Sequence, residues 1–243
     1  MKKRISYWFL ILILPFSGCD ALLQLAETLP DTIPQDPTQT EIVGGLKEAL
    51  VQGTSFAVNT LSKEGGYLND VKVRIPFPPE AQKVANTMRD LGLGKLVDEF
   101  ETKLNEGAEK GAKLAFPIFK SAITGMTFQD AKGILLGQQD AATQYFQTRT
   151  ETQLYNAFSP KIKTSLDQVK ATEIWYEITS RYNKLPLVKK VETDIVKYAT
   201  HKALDGLFLK VSDEESKIRS TIASRKTDLL KKVFDFADRQ RQK

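Results

Sequence analysis

The sequence predicts an all-α protein, a helical bundle of about eight to ten helices with one irregular extended loop over residues 65–79. Apolar residues recur at helical spacing from Ile42 almost to the C-terminus, and signatures of helix starts recur among them. Strand-like alternation is confined to one short stretch. Hydrophobic residues make up 41% of the chain, which suffices for a core and is too little for a polytopic membrane protein.

The first predicted helix begins at Ile42 and ends before two glycines at 65 and 66. Its apolar face consists of Val43, Leu46, Leu50, Ala57 and Leu61. In the loop that follows, apolar and basic residues alternate from Val71 to Ile75, which is strand spacing. Prolines at 76, 78 and 79 end this alternation because proline has no amide hydrogen to donate. We therefore expect an ordered extended loop with at most a short β-bridge.

The remaining helices are predicted from periodicity and from start signals. Thr127 with Asp130, and Ser212 with Glu215, each match a capping box, in which the acid reaches back to the first residue's amide. Pro160 is predicted to open a new helix because proline suits the first helical turn. The predicted ranges are 80–91, 95–115, 119–126, 127–137, 140–158, 159 onward, 172–182, 193–209, 212 onward and 225–239. The inward face predicted for the helix over 95–115 is Leu96, Val97, Phe100, Leu104, Ala108 and Ala112.

The N-terminus has the pattern of a lipoprotein signal peptide over residues 1–18. Three basic residues precede the apolar run Ile5–Leu14, whose 10 residues are too few for a spanning helix of about 20. The stretch Phe16–Cys19 then resembles a bacterial lipobox, although leucine is usual at its first position. Cleavage before Cys19 would leave an N-terminal cysteine that carries acyl chains. The alternative is an ordinary secretory signal with an incidental cysteine.

Residues 19–41 are predicted to form the lipidated N-terminus and a proline-containing tether, and residues 42–243 a single all-helical domain. The alternative is that the proline-rich segment wraps back on the domain. Asp20 resembles an inner-membrane retention mark of enterobacterial lipoproteins, but other bacteria do not use it, so the choice of membrane stays open. Of the 35 basic residues three lie in the signal, which leaves 32 against 30 acidic ones. This near balance disfavours nucleic acid as a partner.

Composition excludes several kinds of site. A single cysteine cannot form an internal disulfide, and one cysteine with one histidine, His201, is too few for a structural zinc site. Neither a G-x-S-x-G elbow nor a D-x-D-x-D-G loop occurs. We therefore predict no metal, no cofactor and no catalytic residue of a familiar class.

Several charged residues remain as candidates for a ligand site or a structural ion-pair cluster: Arg74, Glu109, Asp130, Glu215, Arg219 and Arg225. Glu109 lies in a segment of small residues that favours a close helix crossing. Arg74 is expected to seek a carboxylate, with Asp130, Glu214 or Glu215 as partners, and Arg219 lies four residues after Glu215 and can pair with it. For each candidate the structural role is the simpler interpretation.

The motifs also resemble a known family. GLKEAL from Gly45, GYLNDVKVRIPFP from Gly66, AITGMTFQDAKGILLGQQDAATQYF from Ala122, DGLFLKVSDEESKIR from Asp205 and RKTDLLKKVF from Arg225 occur in that order. Together they resemble the bacterial family called domain of unknown function 4197, over nearly all of the chain after the tether. The resemblance implies an exported, mostly helical and often lipid-anchored protein. It implies no activity, substrate or catalytic residue.

We therefore expect an envelope lipoprotein that is held to the membrane by acyl chains and acts as a non-enzymatic binding module for an envelope protein or a cell-wall or lipid component. The alternatives are an envelope hydrolase that uses Glu and Arg side chains, and a carrier with an apolar cavity between helices. Glu109 or Glu215 together with Arg74 in a concave pocket would favour an enzyme or ligand site. If these side chains instead form pairs within a closed core, that arrangement would disfavour an enzyme or ligand site.

Overall fold

The computed structural model describes residues 35–242 except 91, 93, 185, 188, 189 and 193. The predicted signal peptide, Cys19 and most of the predicted tether lie outside the described residues. Every regular element within the described residues is helical, which confirms the all-α prediction. The α-helices are α1 (Gln39–Leu61), α2 (Gln82–Asp90), α3 (Gly94–Ala112), α4 (Ala115–Thr124), α5 (Phe128–Leu136), α6 (Ala141–Asp167), α7 (Ala171–Tyr182), α8 (Ile195–Ser220) and α9 (Asp228–Arg241). Short 3₁₀ turns cover Pro79–Ala81 and Ile222–Ser224.

Helix α1 begins three residues before the predicted start, because a capping box at its N-terminus went unrecognised. The Thr38 hydroxyl accepts a hydrogen bond from the Glu41 amide at 3.2 Å, and the Glu41 carboxylate accepts from the Thr38 amide at 2.8 Å. These two bonds satisfy amides that the first turn of a helix leaves unpaired. The predicted capping box of Thr127 and Asp130 is confirmed at the start of α5.

The prediction of a new helix at Pro160 is wrong, since α6 continues through this residue to Asp167. A proline inside a helix removes one bond to the carbonyl four residues earlier, here that of Asn156. Both Pro160 and Asn156 are exposed, so water can hydrate the freed carbonyl. The Pro160 carbonyl itself accepts from the Thr164 hydroxyl at 2.8 Å.

The second predicted capping box is also wrong, because Ser212 and Glu215 lie in the interior of α8. Apolar residues on both sides of them keep helical spacing and are buried, among them Phe208, Val211 and Ile218. Burial of this continuous face outweighs the local cap signal. Glu215 does cap a helix, but a different one, as described below.

The core is built around α6, which packs against α3 and α8. Helix α1 packs against α8, and α9 packs against α1. The crossing of α3 and α6 is close, as the small residues predicted. A Cβ on Gly107 would lie 2.6 Å from Ile162 Cα, and one on Gly111 would lie 2.7 Å from the Phe158 ring.

This crossing gives a stability prediction. Gly111→Ala should lower the free energy of unfolding by about 1–3 kcal/mol, because the added methyl overpacks the contact with Phe158. Gly133→Ala is the matched control, since nothing lies within 4 Å of a Cβ there and helix propensity alone favours alanine by about 1 kcal/mol. Urea unfolding measures both. Equal changes in the free energy of unfolding for Gly111→Ala and Gly133→Ala would contradict the close crossing of α3 and α6.

Candidate binding site

Three polar side chains on α3 hold the loop that follows α1. Glu101, Asn105 and Glu109 are four residues apart, so they share one face of the helix. Their side-chain oxygens accept hydrogen bonds from loop amides over residues 67–77. We call these three residues the α3 stripe. The stripe supplies partners for backbone groups that burial would otherwise leave unpaired.

Asn105 pairs with the loop backbone as a neighbouring strand would. Its amide oxygen accepts from the Ile75 amide at 2.9 Å, and its amide nitrogen donates to the Ile75 carbonyl at 3.0 Å. The alternation predicted for this stretch is present only in part and without a strand: Val73 and Ile75 are buried, as is Phe77, whereas Val71 is 93% exposed. The first half of the loop, over residues 65–73, consists of turns rather than extended chain.

Glu109 anchors the start of the loop. Its Oε1 accepts from the Tyr67 amide at 3.2 Å and from the Leu68 amide at 3.4 Å. The residue is only 7% exposed. Burial raises the pKa of the Glu109 carboxyl, and the amide hydrogen bonds oppose this rise in part.

The raised pKa predicts a pH dependence. As pH falls through the raised folded-state pKa toward the usual value of 4.5, folded Glu109 binds a proton before the unfolded chain does, so this group adds stability. Glu109→Gln keeps the oxygen that both amides use and has no such titration. The free energy of unfolding of the unaltered protein should therefore rise relative to that of the variant between pH 7 and about 4.5. A constant difference across this range would contradict the assignment.

Arg74 pairs with a member of the α3 stripe rather than with the predicted partners. Its Nη2 lies 2.8 Å from Glu101 Oε2, and the arginine side chain is half-exposed. The other carboxylate oxygen of Glu101 accepts from the Phe77 amide at 3.1 Å. Arg74 thus stabilises the carboxylate that fixes the end of the loop.

Glu215 and Arg219 form the predicted ion pair, and the pair is buried. Arg219 donates to Glu215 Oε1 at 2.8 and 3.0 Å. The same carboxylate accepts from the amides of Ala142 and Thr143, each at 2.9 Å. Glu215 therefore caps α6 from another helix, at the end where a negative charge is favoured. The residue before α6, Asp140, makes no side-chain cap bond.

Two arginines, Arg219 of this pair and Arg225, connect the pair to neighbouring helices. Arg219 donates to the carbonyls of Ile134 and Leu135 near the C-terminus of α5, at 2.8 and 3.2 Å. Arg225 donates to the carbonyls of Ile218 and Arg219 near the end of α8. It also donates to the carboxylates of Asp235 and Asp238 in α9. We call Glu215, Arg219 and Arg225 the arginine clamp. It joins the C-terminal ends of α5 and α8 and the N-terminus of α6 to α9.

A void beside the arginine clamp is too small for a ligand. It is lined by Glu215 and Arg219 together with apolar residues of α1, α6 and α8, and it encloses about 20 Å³. This is room for about one water molecule. Within the described part of the chain, no buried side-chain polar atom lacks a hydrogen-bond partner. The geometry of the clamp is therefore that of a closed structural network.

The arginine clamp predicts unequal costs for two arginine substitutions. Arg219→Leu should lower the free energy of unfolding by about 3–5 kcal/mol, because Glu215 loses its buried counter-ion. Arg74→Leu breaks a half-exposed pair and should cost about 1 kcal/mol or less. Chemical denaturation of both variants tests the contrast. If both substitutions lowered the free energy of unfolding by similar amounts, the arginine clamp would not be desolvated.

Asp130 lies apart from the other candidates. Its carboxylate accepts from the Thr127 amide at 3.0 Å, and this bond lowers the pKa of the Asp130 carboxyl. It borders a shallow polar depression with Tyr145 and Arg149, whose guanidinium lies 5.6 Å from the Tyr145 ring centre. The candidates thus fall into three separate places: the α3 stripe with Arg74, the arginine clamp, and this depression.

Within the described residues, the charged candidates predicted from the sequence do not converge on one pocket. Arg74 shares neither a contact nor a lined cavity with Glu109 or Glu215. His201 is exposed and contacts Tyr155 with tilted ring planes, their centres 5.2 Å apart. Among the residues that the structure describes, no group of three His, Cys, Asp or Glu could hold a metal ion.

Sequence reasoning missed an apolar groove between α3 and α7. Its lining residues are Phe77, Leu96, Val97, Glu99, Phe100, Val169, Ala171, Ile174 and Trp175, and it encloses about 120 Å³. One lip is formed by Leu96, which is 51% exposed, and the other by Ile174, which is 48% exposed. The prediction that Leu96 faces the core is therefore wrong, because its side chain lies at the open edge of the groove.

Three aromatic rings form the floor of the groove. Phe77 lies 5.2 Å from Phe100 and 5.4 Å from Trp175 between ring centres, and Phe100 lies 5.8 Å from Trp175. Trp175 is fixed by its indole N–H, which donates to the Glu192 carbonyl at 3.0 Å. Phe77 is fixed by the α3 stripe through its own amide. The stripe thus determines the shape of the groove.

Comparison with known proteins identifies the family. No curated protein and no solved structure matches the chain. A family profile matches residues 36–235, from just before α1 into α9, and so includes the α3 stripe, the arginine clamp and the groove. The chain therefore belongs to the family described as "Protein of unknown function (DUF4197)".

Proposed function

We propose that this protein is an exported lipoprotein, anchored by acyl chains on Cys19, whose helical domain is a non-enzymatic binding module in the bacterial envelope. The lipobox at Phe16–Cys19 and the short apolar run before it support the anchor. No helix within the described residues is long and apolar enough to cross a membrane.

The groove between α3 and α7 is the observation that supports a binding role. It is apolar, open to solvent and bounded by two half-exposed aliphatic side chains, Leu96 and Ile174. Concave apolar sites with a preformed floor are the usual places where proteins bind ligands or partner side chains.

The enzyme and carrier alternatives have less support. A hydrolase would need a carboxylate with access to substrate, whereas Glu109 and Glu215 are buried and occupied by backbone amides. A carrier of long acyl chains would need a larger cavity, whereas the groove is somewhat smaller than an engineered cavity of about 150 Å³ that holds one benzene.

The anchor is tested with Cys19→Ala in cells supplied with labelled palmitate. We expect the variant to lose the label and to leave the membrane fraction, because the thiol that accepts the lipid is gone. Ser17→Ala is the matched control and should keep both the label and the membrane association. Retention of label and membrane association by Cys19→Ala would refute the anchor.

The groove is tested with a photo-crosslinking residue at Leu96 in intact envelopes. We expect a discrete crosslinked product that Ile174→Asp abolishes, because a charge on the opposite lip opposes apolar binding. The same probe at Val71, which is 93% exposed and does not line the groove, is the control. Equal products from both positions, or products insensitive to Ile174→Asp, would contradict a role for the groove.

A further inference from the structure

We propose that the groove takes one aromatic side chain from a peptide segment of a partner protein, and that a basic residue beside this aromatic residue pairs with Glu99. The inference rests on the binding role proposed above. It defines the partner by two chemical features, an aromatic side chain and a basic residue beside it.

The size of the groove argues for a single ring. A cavity of about 150 Å³ accepts benzene, and the groove encloses about 120 Å³. A ring seated there would extend the cluster of Phe100 and Trp175, with edge-to-face contact at the distances that aromatic pairs prefer. The groove is open between its lips, so the peptide backbone that carries the ring can stay outside.

Charge argues for a basic neighbour. Among the described residues that line the groove, Glu99 is the one charged residue, and it is exposed. Within the described part of the chain it makes no ion pair, whereas Asp98 next to it pairs with Arg89 at 3.0 Å. A carboxylate at this place attracts a lysine or arginine and repels fatty-acid carboxylates and anionic lipid headgroups. A peptide therefore suits the site better than an anionic lipid.

Trp175 provides a direct readout. The chain has two tryptophans, and Trp8 lies in the predicted signal peptide. After cleavage Trp175 is the only tryptophan, and it lines the groove. A ring bound against it should change its fluorescence.

The test titrates the mature protein with three blocked peptides that contain no tryptophan. One carries phenylalanine between two lysines, one carries it between two glutamates, and one carries alanine between two lysines. We expect a saturable change in Trp175 fluorescence with the first peptide. Leu96→Asp and Ile174→Asp should abolish this change while the circular dichroism stays unaltered.

Charge reversal makes the test specific. Glu99→Lys should weaken binding of the lysine peptide about two- to fivefold, as expected for an exposed ion pair, and should strengthen binding of the glutamate peptide. Glu173→Lys is the matched control, because Glu173 is exposed on α7 but does not line the groove. It should leave the preference between the peptides unchanged.

The outcomes separate this inference from the proposed function. Equal binding of the lysine and glutamate peptides would overturn the pairing with Glu99. Binding of hexanoate or of an anilinonaphthalene dye, with no response to any peptide, would overturn the peptide partner and leave the groove as a binding surface. No response to any probe, together with no groove-dependent crosslink at Leu96, would overturn both.

Discussion

The α3 stripe is the constraint on which the rest of this structure depends. The loop between α1 and α2 is buried in part, and no strand pairs with it among the described residues, so its amides need acceptors from elsewhere. Glu101, Asn105 and Glu109 supply them from successive turns of one helix. By fixing Phe77 over Phe100, the same side chains shape the floor of the groove.

The arginine clamp holds the other half of the bundle by similar means. Helix ends leave backbone groups unpaired, and the clamp satisfies them with side chains from a different helix. Glu215 serves the amides at the start of α6, and Arg219 serves the carbonyls at the end of α5. The ion pair between them supports this geometry, and its charges are not available for chemistry.

The parts predictable from sequence are those that depend on local spacing. The all-α class, the capping box at Thr127 and the pairing of Glu215 with Arg219 all follow from residues within four positions of each other. The helix through Pro160 and the remote capping role of Glu215 depend on tertiary packing, which overrode valid local signals. The groove was missed because an apolar residue such as Leu96 has the same periodicity whether another helix covers it or not.

The claim that the α3 stripe fixes the loop is tested most directly by hydrogen–deuterium exchange of Asn105→Ala. We predict that the Ile75 amide loses protection, because the substitution removes its acceptor on Asn105, while the amides in the middle of α6 stay protected. Unchanged protection at Ile75, with the variant folded, would contradict the claim.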